Sequence, residues 1–237
     1  MALFEGERLC DRFAGREATE PAGLAWLSGH RLQRAVVSST RGDAEQQARQ
    51  LEAVLHIPVL AFTPATEVPL GNDYATPETL GCDRLAAAVG AEAQSGGRPV
   101  LIVDFGTAIT FDTVAGGRFR GGFISPGLSS RLRALHDYTA TLPQLDPAGQ
   151  PEPDETLLWQ PGRTTRDAMW RGVVAGICAE TEAHIARRKA ELGEISVIFT
   201  GGDAEYFVKR IKNTIFADRD LVFRGLNRIL AYHDKSE

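Results

Sequence analysis

Val100-Leu101-Ile102-Val103-Asp104-Phe105-Gly106-Thr107-Ala108-Ile109-Thr110-Phe111-Asp112 is an apolar run that ends in a carboxylate, then a glycine, then a second run heading back. A buried strand thus delivers Asp104 at its end, and Gly106 permits a tight turn. Thr107 adds a hydroxyl and a backbone N–H at that turn. A hairpin of this kind offers N–H groups to a phosphate while its Asp faces the accompanying cation. The same residues also suit an ordinary β-hairpin whose Asp and Thr satisfy turn groups, and spacing alone leaves both readings open. The Asp-Phe-Gly tripeptide is shared with protein kinases, but no HRD-type loop and no upstream GxGxxG loop accompany it.

Working outward from this segment, residues 108–114 and 118–124 read as strands around a Gly116-Gly117 turn. Residues 128–135 read as a helix, 139–158 as a Pro- and Asp-rich loop, and 165–192 as one long helix carrying Ala168, Met169, Val173, Ile177 and Ala183. The last unit is a strand over 195–200, a Gly201-Gly202 turn, a helix over 204–211, the apolar Leu221-Val222-Phe223 and a final helix over 225–232. Upstream, residues 2–13 read as two strands around Glu5-Gly6-Glu7. A strand over 34–39, a helix over 43–55 and a strand over 59–62 follow; beyond Pro64 and Pro69 comes an Ala-rich helix over 82–93. Gly96-Gly97-Arg98-Pro99 breaks the chain, so we expect an α/β protein of two sheet-and-helix halves, residues 1–97 and 98–237.

Three more segments carry candidate chemistry. Gly81-Cys82-Asp83-Arg84 opens the Ala-rich helix. A carboxylate there accepts a proton from a substrate hydroxyl, and the guanidinium fork holds a substrate carboxylate; helix N-terminal chemistry alone also accounts for Asp83. Thr200-Gly201-Gly202-Asp203 ends a buried strand on two glycines, which lets a flat ligand such as adenine approach the backbone, or simply makes a strand-to-helix turn. Gly121-Gly122-Phe123-Ile124-Ser125-Pro126-Gly127-Leu128 ends a strand at a Pro-Gly turn and also reads as packing punctuation.

Composition excludes several classes. The 237 residues are 43% apolar and 24% charged, an ordinary globular balance. The net charge of −5 argues against a phosphate-backbone partner, so no nucleic acid is expected. No stretch reaches the roughly 20 apolar residues of a membrane span, and no basic region followed by an apolar run opens the chain. The reading is a cytoplasmic protein without a membrane partner. Cys10, Cys82 and Cys178 form no CxxC pair and read as reduced thiols, and the five histidines have no metal-ligand spacing.

In order and spacing the four segments resemble those of the type III pantothenate kinases, members of the acetate and sugar kinase, Hsp70 and actin superfamily. The resemblance rests on G-x-D-R at Gly81 to Arg84, D-x-G-T-A at Asp104 to Ala108, G-G-x-I-x-P-G-L at Gly121 to Leu128, and T-G-G at Thr200 to Gly202. It implies two RNase H-like (actin-like ATPase) halves and ATP-dependent phosphorylation of pantothenate, the first step of coenzyme A biosynthesis. It further implies that Asp83 is the base for the pantothenate hydroxyl, with Tyr74, Gly81, Cys82, Arg84 and Thr165 on the substrate. Gly106, Thr107, Gly201 and Gly202 would contact ATP with its Mg2+, and Asp104 a monovalent cation, K+ or NH4+. Thr164 stands beside Thr165 and competes for that match. A homodimer is implied, with the helix over 165–192 contributing to its interface.

One departure matters. The family opens with a strand ending in D-x-G-N-T, the first phosphate loop, whereas Met1-Ala2-Leu3-Phe4-Glu5-Gly6-Glu7 resembles the strand that follows it. The first half is therefore expected to lack its first strand. We expect Met1 to be an internal methionine taken as the start. An N-terminally extended chain should melt higher and turn over faster than this one, because a missing central strand exposes two ladder edges. Two other readings stay open: a regulatory relative that no longer needs ATP, and a kinase of the same superfamily for another small hydroxy acid or sugar.

Overall fold

The computed structural model describes residues 1–14, 19–149, 155–212 and 215–234. It divides into two compact units, the first made of Met1–Gly97, Val114–Gly121 and Asp220–Glu237 and the second of Arg98–Thr113 and Gly122–Arg219.

The first unit starts with a hairpin of β1 (Ala2–Glu5) and β2 (Arg8–Arg12), whose turn residue Gly6 adopts φ +60°. Helix α1 (Pro21–Ser28) follows, with Pro21 in its first turn, where a missing N–H costs nothing. Then come β3 (Ala35–Ser38), α2 (Ala44–Leu55) and β4 (Val59–Phe62), a parallel pair joined by a crossover helix. Ala48 and Leu51 of α2 pack on Val37 and Val59, and Leu24 and Leu27 of α1 close over them. A short β5 (Gly71–Asn72) leads to α3 (Cys82–Ser95), whose residues from Arg84 to Ala91 are all buried.

Strands β6 (Val100–Phe105), β7 (Ala108–Ala115) and β8 (Arg118–Pro126) form a meander that belongs to the second unit except for Val114–Gly121, the end of β7, the turn and the start of β8, which belong to the first. The β7–β8 turn uses Gly116 and Gly117 at φ +60° and +67°, the backbone that two-residue hairpins prefer. Helices α4 (Leu128–Asp137), α5 (Glu155–Leu158) and α6 (Thr165–Leu192) follow, then β9 (Ser196–Thr200), α7 (Ala204–Val208) and β10 (Phe216–Ala217). The sheet runs β10-β9-β6-β7-β8, with β6, β9 and β10 parallel. Val100 to Val103 and Phe105 are at most 1% exposed, so β6 reads as a continuous apolar run, as a strand covered on both faces must. The part of β8 that belongs to the first unit pairs in parallel with β5, Gly71 opposite Arg118 and Asn72 opposite Phe119.

The two units follow the same series of hairpin, helix and parallel pair. In the second, β6 joins the β7–β8 hairpin to the β9–β10 pair; in the first, β1–β2 and β3–β4 are separate two-stranded sheets. Among the described residues the first unit has no strand that joins its two pairs as β6 does in the second.

The final helix departs from the sequence reading. Leu221-Val222-Phe223 is the first turn of one helix, α8 (Leu221–Asp234), rather than a separate segment. Gly225 marks a close approach inside the helix instead of its start: a Cβ there would lie 1.8 Å from the Ala86 carbonyl oxygen, and one at Gly90 would lie 2.5 Å from that of Leu221. Gly225→Ala should therefore destabilise the protein by about 1–3 kcal/mol through overpacking. Gly172→Ala, at an exposed position of α6 with nothing within 4 Å, should stabilise by roughly 0.5–1 kcal/mol. Thermal melts of the two variants check this, and equal melting temperatures would contradict it. The remaining differences are small. Helix α1 and the two-residue strands β5 and β10 carry too short a pattern to read, and α7 stops at Val208. The loop over 139–158 contains a 3-10 turn at Pro147–Gly149 and the short α5, and its residues 150–154 lie outside the described ones.

Candidate active site

In the first unit the G-x-D-R segment lies at the start of α3, with Gly81 as N-cap and Asp83 in the first turn, where the helix dipole favours a carboxylate. Gly81 has a definite reason to lack a side chain: Asp83 Oδ1 folds back to within 2.5 Å of where its Cβ would stand. The Asp83 carboxylate also accepts from the Arg84 backbone N–H at 2.8 Å and is half-buried. Arg84 is 8% exposed, and its guanidinium carbon lies 5.7 Å from the ring centres of both Tyr74 and Phe119. Tyr74 and Phe119 are themselves 6.0 Å apart. The structure thus gathers Tyr74, Gly81, Cys82, Asp83 and Arg84 and adds Phe119, which sequence reasoning missed. The only signal for Phe119 was its place as the apolar member of Arg118-Phe119-Arg120 on β8.

A second cluster steadies the same segment. Asp73 Oδ1 accepts from Arg118 Nε at 2.7 Å, and Oδ2 accepts from Arg120 Nη1 at 2.7 Å. The Arg118 guanidinium beside Asp73 holds its carboxyl below the usual carboxylate range, with Arg120 adding to the effect.

In the second unit Asp104 is the half-buried end of β6. A Cβ on Gly201 would lie 2.3 Å from Asp104 Oδ1 and 2.6 Å from the Phe105 carbonyl oxygen, so the T-G-G turn is pressed against the D-x-G-T-A turn. The Asp203 backbone N–H donates to the Phe105 carbonyl at 3.1 Å and pins the two turns together. Burial pushes the Asp203 carboxyl up from its ordinary range. The Pro-Gly turn packs on the D-x-G-T-A turn: a Cβ on Gly127 would lie 2.1 Å from the Gly106 carbonyl oxygen. The Gly127 N–H and the Ser130 hydroxyl donate to the Thr107 carbonyl at 3.0 Å and 2.6 Å. Gly106, Thr107, Asp104 and Gly201 therefore come together, and Gly202 beside them has nothing within 4 Å of its Cβ position, a bare backbone open to a ligand.

These residues fit a nucleotide phosphate with its cations only in a particular way. Among the described residues no three His, Cys, Asp or Glu side chains converge. Asp104 offers a carboxylate beside the Phe105 carbonyl and the Gly201 turn, a donor set suited to a hard cation completed by phosphate and water.

Thr165 opens α6 and is exposed. Thr164 is spoken for as the N-cap, its hydroxyl accepting from the Asp167 N–H at 3.1 Å. Gly162 lets the chain lie on the helix start, where a Cβ would be 2.3 Å from the Ala168 nitrogen.

The cysteines differ in reactivity. Burial, and secondarily Asp83, pushes the Cys82 thiol up, and burial pushes that of Cys178 to about 12. A thiol with a raised pKa holds less thiolate, the reacting form, at any pH below it. Iodoacetamide at mildly alkaline pH should therefore label exposed Cys10 first and leave Cys82 and Cys178 until the protein unfolds. Equal labelling rates in peptide mass mapping would contradict this.

Comparison with known proteins bears directly on this geometry. The family described as type III pantothenate kinase matches residues 9–187. A type III pantothenate kinase of Phocaeicola vulgatus is 36% identical over 236 residues, covering 99% of this chain and 94% of that protein. Among solved structures, one described as a conserved putative Baf family transcriptional activator from Campylobacter jejuni superposes with TM-score 0.61 at 21% identity, covering 90% of this chain and 89% of that one. A ROK hexokinase from Thermus thermophilus superposes with TM-score 0.52 at 15% identity, covering 100% of this chain and 95% of that one. The last two are similar to this chain in fold alone.

Proposed function

The chain belongs to the type III pantothenate kinase family, and we propose from that premise that it phosphorylates pantothenate with ATP, the first step toward coenzyme A. The observation that carries this reading is the family match over residues 9–187, which contains the G-x-D-R, D-x-G-T-A and G-G-x-I-x-P-G-L segments together.

Asp83 accepts the proton of the primary hydroxyl of pantothenate as that oxygen bonds to the γ-phosphorus and the bond to the ADP oxygen breaks. The carboxylate is folded over Gly81, with Oδ1 held there by the Arg84 N–H, so Oδ2 is the oxygen that takes the proton. Arg84, stiffened between Tyr74 and Phe119, binds the pantothenate carboxylate through its fork; Gly81 and Cys82 line the acceptor beside it, and Thr165 is a further contact. ATP, when bound with Mg2+, supplies the phosphoryl group. Gly106, Thr107, Gly201 and Gly202 hold its phosphates and adenosine through bare backbone, and Asp104 holds a monovalent cation, K+ or NH4+, against them. Loose phosphoryl transfer asks for positioning and charge compensation rather than covalent help, and these residues provide both.

A cytoplasmic homodimer completes the reading. No helix among the described residues is long and apolar enough to cross a membrane. In the second unit Phe123, Ile124, Tyr138 and Trp159 are 52%, 65%, 89% and 62% exposed, apolar area that a second copy would cover. A panel of hydroxy acids and sugars at fixed ATP, with and without K+, tests the function. Pantothenate should be the preferred acceptor and K+ should raise its turnover. Preference for another acceptor, or ATP use unaffected by any of them, would contradict it.

A further inference from the structure

We infer that Asp73 is a positioning residue for the acceptor site, a carboxylate clamp that fixes Tyr74 and through it the guanidinium of Arg84. The inference rests on the reading of Tyr74 and Arg84 as pantothenate-binding groups and concerns how strongly that site is held.

The segment Gly71 to Tyr74 is almost too short to be a strand, yet its backbone is fixed at each step. The Gly71 N–H donates to the Gly117 carbonyl and the Asp73 N–H to the Phe119 carbonyl, each at 2.9 Å. The Tyr74 N–H donates to Asn72 Oδ1 at 2.9 Å. Two backbone bonds on a two-residue pairing hold little by themselves, because such bonds are worth about 1 kcal/mol net each. The Asp73 side chain supplies the missing rigidity. Arg118 and Arg120 are two apart on β8 and so project from the same face. Arg118 Nε and Nη2 reach Asp73 Oδ1 at 2.7 Å and 2.6 Å, and Arg120 Nη1 reaches Oδ2 at 2.7 Å. Arg118 lies flat over Gly71, where a Cβ would meet its Nη1 at 2.6 Å. Arg120 is fixed at its other end, its Nε donating to the Ala115 carbonyl at 3.0 Å.

Both arginines flank Phe119, the residue that shares the Arg84 guanidinium with Tyr74. Asp73 precedes Tyr74 directly. The clamp therefore ties one ring of the pair to the strand that carries the other and sets the slot in which Arg84 lies. An isolated exposed ion pair contributes little, but a carboxylate whose two oxygens are each held by a different guanidinium forms a network that orders the chain it joins. Fixing the acceptor's binding group matters because small misplacements at a site cost binding and rate steeply.

The test is Asp73→Ala and Asp73→Glu in the full chain, read by pantothenate kinetics, thermal melting and amide exchange. Asp73→Ala should raise KM for pantothenate about tenfold with kcat within about twofold, the signature of lost uniform binding. Amides of residues 71–74 should exchange faster, the melting temperature should hardly move, and Asp73→Glu should recover part of the KM. Arg118→Gln should reproduce part of the effect and add little on top of Asp73→Ala. An unchanged KM in a protein that phosphorylates pantothenate would overturn this inference alone. So would a parallel fall of kcat and melting temperature with no selective effect on KM. A protein that turns over no pantothenate would instead overturn the functional reading, and this inference with it.

Discussion

Asp83→Asn should lower kcat for pantothenate phosphorylation by about 10²–10⁴-fold, the usual contribution of a positioned general base. Asn is nearly the same shape, and its amide oxygen can still accept from the Arg84 N–H that Asp83 now engages at 2.8 Å. The fold should thus survive with the loss of only the carboxylate's interaction with the α3 dipole, about 0.3–1 kcal/mol. KM for ATP should stay near its original value, because the residues proposed to hold the nucleotide belong to the second unit and Asp83 to the first. Stopped assays of ADP release, run beside a thermal melt, measure both quantities. Retention of most of the activity by a folded Asp83→Asn protein would remove Asp83 from its role.

Gly201→Ala should be nearly as damaging, by a different route. Gly201 adopts φ +91°, a conformation that side chains avoid, and its Cβ would enter the space of Asp104 Oδ1 at 2.3 Å and of the Phe105 carbonyl at 2.6 Å. The carboxylate and the backbone of the D-x-G-T-A turn must move, so the strain and the overpacking add, each worth about 1–3 kcal/mol. We expect a lower melting temperature together with loss of any K+ dependence. Gly202→Ala is the matched control: its Cβ meets nothing within 4 Å, so the protein should fold normally. Its methyl would nonetheless occupy the bare backbone proposed to meet the nucleotide, and KM for ATP should rise without a change in melting temperature. Identical behaviour of the two variants would show that the T-G-G turn does not make this division between structure and ligand.

Much of this was legible in the chain because local chemistry and global role coincide. The run from Val100 to Asp104 is apolar at nearly every position, which only a doubly covered strand tolerates, and it proved to be the central strand β6. The long helix over 165–192 has the bounds its periodicity predicts, and the Gly116-Gly117 turn has the positive φ its sequence demands. What escaped the sequence depends on partners far along the chain. Arg118 and Arg120 reach Asp73 across 45 and 47 residues, and no periodicity encodes such a pairing. Phe119 looked like one more alternating apolar residue until β5 brought Tyr74 beside it. Gly225 reads as the start of the final helix because glycine's two uses, freedom of φ and absence of bulk, are indistinguishable in one sequence; it lies inside α8, and here the second applies.

The measurement that tests the central claim most directly is the chemical identification of the product. Purified protein would be incubated with ATP, Mg2+, K+ and pantothenate, and the products resolved by phosphorus NMR and mass spectrometry. ADP and a phosphate monoester on the primary hydroxyl of pantothenate are expected in equal amounts, both absent when pantothenate is withheld. ADP formed at the same rate without pantothenate, or no phosphorylated pantothenate at all from folded protein, would contradict it.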